Sequence, residues 1–301
     1  MLYRHLPKIT NGIFSIIAPD FASRRFSAPI SASAKPAANP LAPKAKPAPE
    51  DETPAVMKQA AEAGINAYYA GESVSRIQEL KAMEAQAGFA SAPWRIIAAP
   101  EGTSGEKLKN LLEEVRSDAR TFVEVRIGNP RAALALQGNA FLTAARALLN
   151  DGKLAGIGFS APFQSETLRT ALESFADWDF CTLELNYLAE GPDSLLAEMA
   201  SRGMAIFARD PLASGKLAQV PPEVHEIFRN ATVPRRHDEW ALRSLWERQE
   251  ITAILIEPEN SFLFGVRTIL AETGRPNSLP SAELSVIRNA AAEFRRILKK
   301  S

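Results

Sequence analysis

The sequence predicts an α/β chain folded as a (β/α)8 TIM barrel, with an N-terminal hairpin, an Ala/Pro-rich inserted loop and an extra C-terminal helix. Three observations predict it. Short apolar runs alternate with helical patterns along the chain and are joined by short connections, which is how parallel βα units read. Eight such runs occur, and eight strand–helix units close a barrel. The length of 301 residues and the 46% hydrophobic content suit one large core, so residues 1–301 read as a single barrel domain.

A small hairpin opens the chain, followed by strand one at about Phe14 to Ala18. Ser27 to Pro49 is rich in Ala, Pro, Ser and Lys, and residues 27–52 read as a flexible loop inserted in the first βα connection. Such a composition buries too little apolar surface to offset its ordering entropy. Thr53 and Pro54 suit a helix start, and Gly64 ends that helix. Strand two is Ile65 to Tyr69, followed by a helix carrying Ile77, Leu80 and Met83. Strand three is Trp94 to Ala99, and Leu108, Leu111, Leu112 and Val115 line its helix. Strand four, Phe122 to Ile127, is apolar enough for an interior strand, and Phe141, Ala144, Ala145 and Leu148 stripe the next helix.

Ile157 to Phe159 forms strand five. Ser165 caps a helix whose Leu168, Ala171, Leu172 and Phe175 fall at i, i+3, i+4 and i+7. Phe180 to Leu185 is strand six, with Leu195, Leu196 and Met199 on its helix, and Ala205 to Ala208 is strand seven. Trp240 to Trp246 is helical, Ile251 to Ile256 is strand eight, and Phe262 to Leu270 is the last barrel helix. Ser281 to Lys299 adds the terminal helix, with Leu284, Ile287 and Ala291 on one side.

Several function classes are disfavoured by composition. Formal net charge is zero, so nothing global points to nucleic acid or an anionic membrane. No apolar run approaches the roughly 20 residues of a membrane span. The single cysteine, Cys181, excludes an internal disulfide framework and reads as a buried, inert thiol. His5, His225 and His237 are scattered, no spacing suggests a metal site, and the start lacks a good secretory h-region, so the cytoplasm is the default compartment.

Three segments carry a resemblance. Gly152-Lys153-Leu154 through Gly158-Phe159-Ser160 is similar to Gly-Lys-Ile/Val-Arg-x-Ile-Gly-Val-Ser of the aldo/keto reductase family. Glu184-Leu185-Asn186 is similar to that family's Glu-Tyr-Asn, and Asp210-Pro211-Leu212-Ala213-Ser214-Gly215-Lys216-Leu217 to its Ser-Pro-Leu-Ala-x-Gly-x-Leu. Met1 to Ile17 also resembles the family's opening, although Ala18-Pro19-Asp20 replaces its Gly-x-Gly turn. The resemblance implies the same barrel, NADPH as cofactor, and carbonyl reduction by a tetrad of Asp, Tyr, Lys and His.

The tetrad positions are substituted. Tyr69 stands where the Asp is expected, and Glu72-Ser73-Val74-Ser75-Arg76 has no Tyr. Strand three ends in Ala99-Pro100 instead of Thr-Lys, and strand four in Gly128-Asn129-Pro130 where His is expected. No Lys lies between Lys81 and Lys107, and no His between His5 and His225, so a small shift in alignment restores neither. Tyr68 or Tyr69 remains as a displaced acid, but without a Lys or His⁺ beside it a Tyr keeps a pKa near about 10.

By the same resemblance the cofactor-binding candidates are Ser160, Asn186, Asp210, Leu212 and Arg267. Thr182 and Leu185 stand where the family has a Gln and a stacking Tyr, Ala161 where it has an Asn, and Arg209-Asp210 where it has Tyr-Ser. Glu257 and Glu259 would set two carboxylates beside the cofactor phosphates, where each repels an anion; Arg267 suits either a phosphate or a plain surface position. Glu124, Glu184, Arg126, Arg209 and Asp210 gather near the barrel mouth, as an ion-pair cluster or as an anion or sugar pocket. The expectation is a degenerate barrel, with no catalytic residues and no metal, that binds a small-molecule ligand at its mouth or a protein partner through the Ala/Pro loop. The alternative is an NADPH-dependent oxidoreductase with a non-standard proton donor.

Overall fold

The structure, a computed structural model, describes residues 1–9, 12–22, 51–163 and 165–299. The Ala/Pro-rich stretch 27–50, and the partner-binding role expected of it, lie outside these residues. Near the start, β1 (Tyr3–His5) and β2 (Ile13–Ser15) pair antiparallel in the expected hairpin. The first barrel strand, β3, is Ile17–Pro19, so the expected strand Phe14 to Ala18 is in fact two strands. Ile16 separates them, and the chain leaves the hairpin there to enter the barrel.

The remaining strands are β4 (Ala67–Gly71), β5 (Trp94–Ala99), β6 (Thr121–Arg126), β7 (Gly156–Ser160), β8 (Phe180–Glu184), β9 (Ala205–Arg209) and β10 (Ile251–Ile256). They form an eight-stranded parallel sheet in the order β3-β10-β9-β8-β7-β6-β5-β4. The two end strands meet at one bridge, Asp20 to Tyr69, where the Phe21 amide donates to the Tyr69 carbonyl at 2.8 Å. That bond closes the barrel on the side that carries the candidate site.

Helices follow the strands: α1 (Thr53–Glu62), α2 (Val74–Ala87), α3 (Gly105–Glu114), α4 (Pro130–Ala135), α5 (Phe141–Asn150), α6 (Glu166–Ser174), α7 (Pro192–Ser201), α8 (Pro222–Arg229), α9 (His237–Trp246), α10 (Ser261–Ala271) and α11 (Ser281–Leu298). Ser165 caps α6 as expected, its Oγ accepting from the Leu168 amide at 3.1 Å. Two helices were not anticipated. Asn129-Pro130 starts α4 with a side-chain cap and a proline in the first turn. Pro222 starts α8, whose Val224 and Phe228 are buried four residues apart.

The barrel interior is aromatic. Phe207 lies 4.8 Å from Phe14, 5.5 Å from Phe180 and 6.5 Å from Phe122 by ring centroid. The glycines of the Gly156-Ile157-Gly158 run make room for these rings. A Cβ at Gly156 would sit 2.9 Å from the Phe122 ring, and one at Gly158 would sit 2.6 Å from the Phe180 ring. This part of the family-like motif is therefore explained by close packing. Cys181 is fully buried against Met199, and burial pushes its thiol up, as expected for an inert group.

Candidate functional site

In a barrel of this kind, function gathers where the strands end, at the C-terminal face. Side chains alternate along a strand, so every second residue points inward. Tyr69 belongs to the inner cluster with Ala67, Ile96 and Phe122, whereas Tyr68 packs in the outer layer. The Tyr69 hydroxyl donates to Glu124 Oε1 at 2.6 Å, and both residues are 0% exposed. Arg209 lays its guanidinium over the Tyr69 ring, 4.7 Å from the centroid, and donates from Nε to Asp20 Oδ2 at 2.6 Å. Asp20 Oδ1 takes the Ala22 amide at 2.9 Å. Asp20, Tyr69, Glu124 and Arg209 thus form one connected polar cluster under the mouth, drawn from four strand ends.

Burial, then the Glu124 carboxylate, pushes the Tyr69 phenol well above its usual range, against the pull of Arg209. The Glu124 carboxyl is itself raised by burial. The nearby Thr182 hydroxyl and Tyr69 work against that shift, yet Glu124 Oε2 and Thr182 Oγ1 have no partner in hydrogen-bonding geometry among the described residues. Tyr68 is engaged elsewhere. Its hydroxyl donates to Glu84 Oε1 at 2.5 Å, and Glu84 also takes Arg95 Nε at 2.5 Å. Lys81 Nζ donates to the Val115 and Arg116 carbonyls, at 3.0 and 2.5 Å. Neither tyrosine hydroxyl is bonded to a lysine or a histidine among the described residues.

The Glu124 shift predicts a pH dependence. A carboxyl raised in the folded state favours folding below its unfolded pKa of about 4.3 and loses that contribution as pH rises through the folded value. Glu124→Gln keeps an acceptor for Tyr69 and removes the ionisation. We expect its melting temperature, relative to the wild type, to be higher at pH 8 than at pH 4. Thermal denaturation at several pH values checks this, and a pH-independent difference would refute it.

Two openings meet at the mouth. One of about 700 Å³ is lined by Asp210, Leu212, Lys216, Glu257 and Glu259, among others. The other, about 430 Å³, is lined by Arg126, Gly128, Ser160, Ala161, Pro162 and Thr182. Glu184 and Arg209 border both. Of the residues named from sequence, Asp210 and Leu212 line the first opening and Ser160 the second. Asn186 and Arg267 line neither. Asn186 Oδ1 accepts the Leu188 amide at 3.0 Å, inside the turn after β8. Arg267 is 1% exposed, so it is not the surface residue that the sequence allowed. Its Nε donates to Asp238 at 3.3 Å and its Nη2 to Glu259 at 2.8 Å.

Strand four ends at Arg126 rather than Ile127, so its last inward side chain is Arg126, and Gly128 belongs to the following loop. There the Gly128 amide donates to Glu101 Oε2 at 2.8 Å. His225 and His237, scattered in sequence, come together with Nδ1 and Nε2 at 3.1 Å. No group of three or more His, Cys, Asp or Glu able to hold a metal ion occurs among the described residues.

No protein-family profile matches the chain, and no curated protein matches it by sequence. Solved structures do match. The holo form of an aldo-keto reductase from Bacillus halodurans superposes with a TM-score of 0.72 at 14% identity, over 96% of each chain. A thermostable aldo-keto reductase in complex with the inhibitor epalrestat superposes at 0.68, with 15% identity over 96% of this chain and 100% of that one. The fold is that of the aldo-keto reductases. On this fold the hairpin and closed parallel barrel agree with the sequence reading. No helix among the described residues is long and apolar enough to cross a membrane.

The resemblance in the sequence implies a nucleotide cofactor, and the polar groups after β10 that would face its phosphates already have partners within the chain. The amide of Ser261, at the N-terminus of α10, donates to Glu52 Oε2 at 2.6 Å, and that bond holds the Glu52 carboxyl below its usual range. Asn260 caps the same helix end, its Oδ1 accepting from the Leu263 amide at 2.8 Å. The buried Arg267 already has two carboxylate partners. The positive groups after β10 are therefore met by Glu52, Glu259 and Asp238, carboxylates of the chain itself. Glu259, expected near this position from the sequence, pairs with Arg267, whereas Glu52 is not legible there because its bond to Ser261 spans 209 residues.

Proposed function

We propose that this protein descends from aldo-keto reductases, has lost reductase chemistry, and acts by binding a small ligand at the barrel mouth. The observation that carries this reading is the buried Tyr69–Glu124 bond. A proton donor for carbonyl reduction needs a hydroxyl that reaches the substrate and a pKa drawn towards neutrality by a cation. Tyr69 has neither, since its hydroxyl is buried on a carboxyl group and its pKa moves upward. The internal carboxylates at α10 and Arg267 further support weak affinity for a phosphate-bearing nucleotide.

The second reading is an NADPH-dependent oxidoreductase that reduces an aldehyde or ketone with another acid. It is favoured by the holo form of the Bacillus halodurans relative and by the opening of about 700 Å³ beside Asp210 and Leu212. Titration with NADPH, followed by nucleotide fluorescence and thermal shift, separates the two. We expect no saturable binding at micromolar NADPH and no oxidation when aldehydes are added. Tight binding with carbonyl-dependent oxidation would establish the second reading.

A further inference from the structure

The smaller mouth opening carries charges of both signs that the protein does not pair with one another. Glu184 and Arg209 are register partners on β8 and β9, yet they form no ion pair. Arg209 turns its Nε to Asp20, and its two Nη groups donate to no described residue. The exposed Glu184 carboxylate accepts no hydrogen bond and has no ion pair among the described residues. Arg126 stands at the opposite edge and is held only loosely by Glu72, at 3.4 Å with both side chains about half exposed. Arg126, Ser160 and Thr182 lie in one register row across β6, β7 and β8. Thr182, 2% exposed and with Oγ1 unpaired, supplies a polar floor to the opening. Such a buried hydroxyl is costly unless the neighbouring Glu124 carboxyl, a ligand or water meets it.

We infer that this opening binds a free α-amino acid, with the carboxylate between Arg126 and Arg209, the ammonium on Glu184, and the side chain against Ala161 and Pro162. This deepens the proposed function and rests on its reading that the mouth binds a ligand. The chemistry selects the class. A guanidinium pair without an acid would favour a simple anion, and Glu184 alone a simple amine. Both signs beside a hydroxyl floor favour a molecule that carries both, and about 430 Å³ admits one of medium size with water.

The test uses the full chain and three probes of one shape: L-leucine, isocaproate, which lacks the ammonium, and isoamylamine, which lacks the carboxylate. Calorimetric titration is expected to show leucine binding tighter than either analogue by about tenfold or more, the ratio that one charge-assisted hydrogen bond gives. Glu184→Gln is expected to bring leucine down to isocaproate, and Arg126→Gln to bring it towards isoamylamine. Both substitutions are at exposed positions, and unchanged melting temperatures will show that the fold persists. The inference is overturned if no probe binds, if isocaproate equals leucine in the wild type, or if Glu184→Gln leaves the advantage of leucine intact. NADPH titrated into the same preparation reports separately on the broader reading. Saturable NADPH turnover would sink that reading whether or not leucine binds, whereas failure of leucine alone sinks only the amino-acid site.

Discussion

Replacing Asp238 with Ala is expected to destabilise the protein by about 3–5 kcal/mol at neutral pH, the usual cost of removing one partner from a buried ion pair. Asp238 and Arg267 are both nearly fully buried, and Asp238 also accepts from Arg236 at 2.9 and 3.0 Å. Without Asp238, the Arg267 guanidinium keeps only Glu259, while its Nη1 already lacks a partner. Asp238 also lies in the first turn of α9, where a carboxylate is favoured.

The same pair has a defined pH response. Burial acts to raise the Asp238 carboxyl, but the Arg236 and Arg267 guanidiniums outweigh it and leave the pKa below the usual carboxylate range. Its contribution is present above the unfolded pKa of about 3.9 and is lost as pH falls through the folded value. The gap between wild type and Asp238→Ala should therefore narrow in strong acid. Urea denaturation at pH 7 and near pH 3 measures it. A cost below about 1 kcal/mol at pH 7 would mean that Arg267 finds another partner or water.

Phe207→Ala is expected to cost a similar amount, about 3–5 kcal/mol, for a different reason. Phe207 is fully buried and sits among Phe14, Phe122 and Phe180 inside the closed barrel. Eight paired strands restrict collapse of the wall into the space left, so most of the cavity should persist. Phe207→Leu, which keeps much of the volume, should cost clearly less. Equal costs for the two variants in urea denaturation would show that this interior is loosely packed.

These expectations depend on contacts that were only partly legible in the sequence. The strands were legible because apolar runs and helical stripes are local patterns with fixed periods. Errors fell where a local pattern does not mark a change of partner. Phe14 to Ala18 looks like one apolar strand, but its first half pairs with Tyr3–His5 and its second half with β10. At the candidate site, the gathering of Glu124, Glu184, Arg126, Arg209 and Asp210 was anticipated. The Tyr69–Glu124 bond is not legible there, because the two residues stand on separate strands 55 residues apart. Asp20, which stands where the resembling family has a glycine turn, anchors Arg209.

By itself, the sequence determined the alternation that builds a barrel and the absence of lysine between Lys81 and Lys107 and of histidine between His5 and His225. A residue type missing from a stretch of chain is missing however that stretch folds. Only the tertiary structure decided which polar group met which partner: Glu52 at Ser261, Asp238 and Glu259 around Arg267, and His225 beside His237. Those meetings depend on strand order, stagger and the path of the connecting loops. Periodicity carries no information about them, because it describes each segment against its own axis and not against its neighbours.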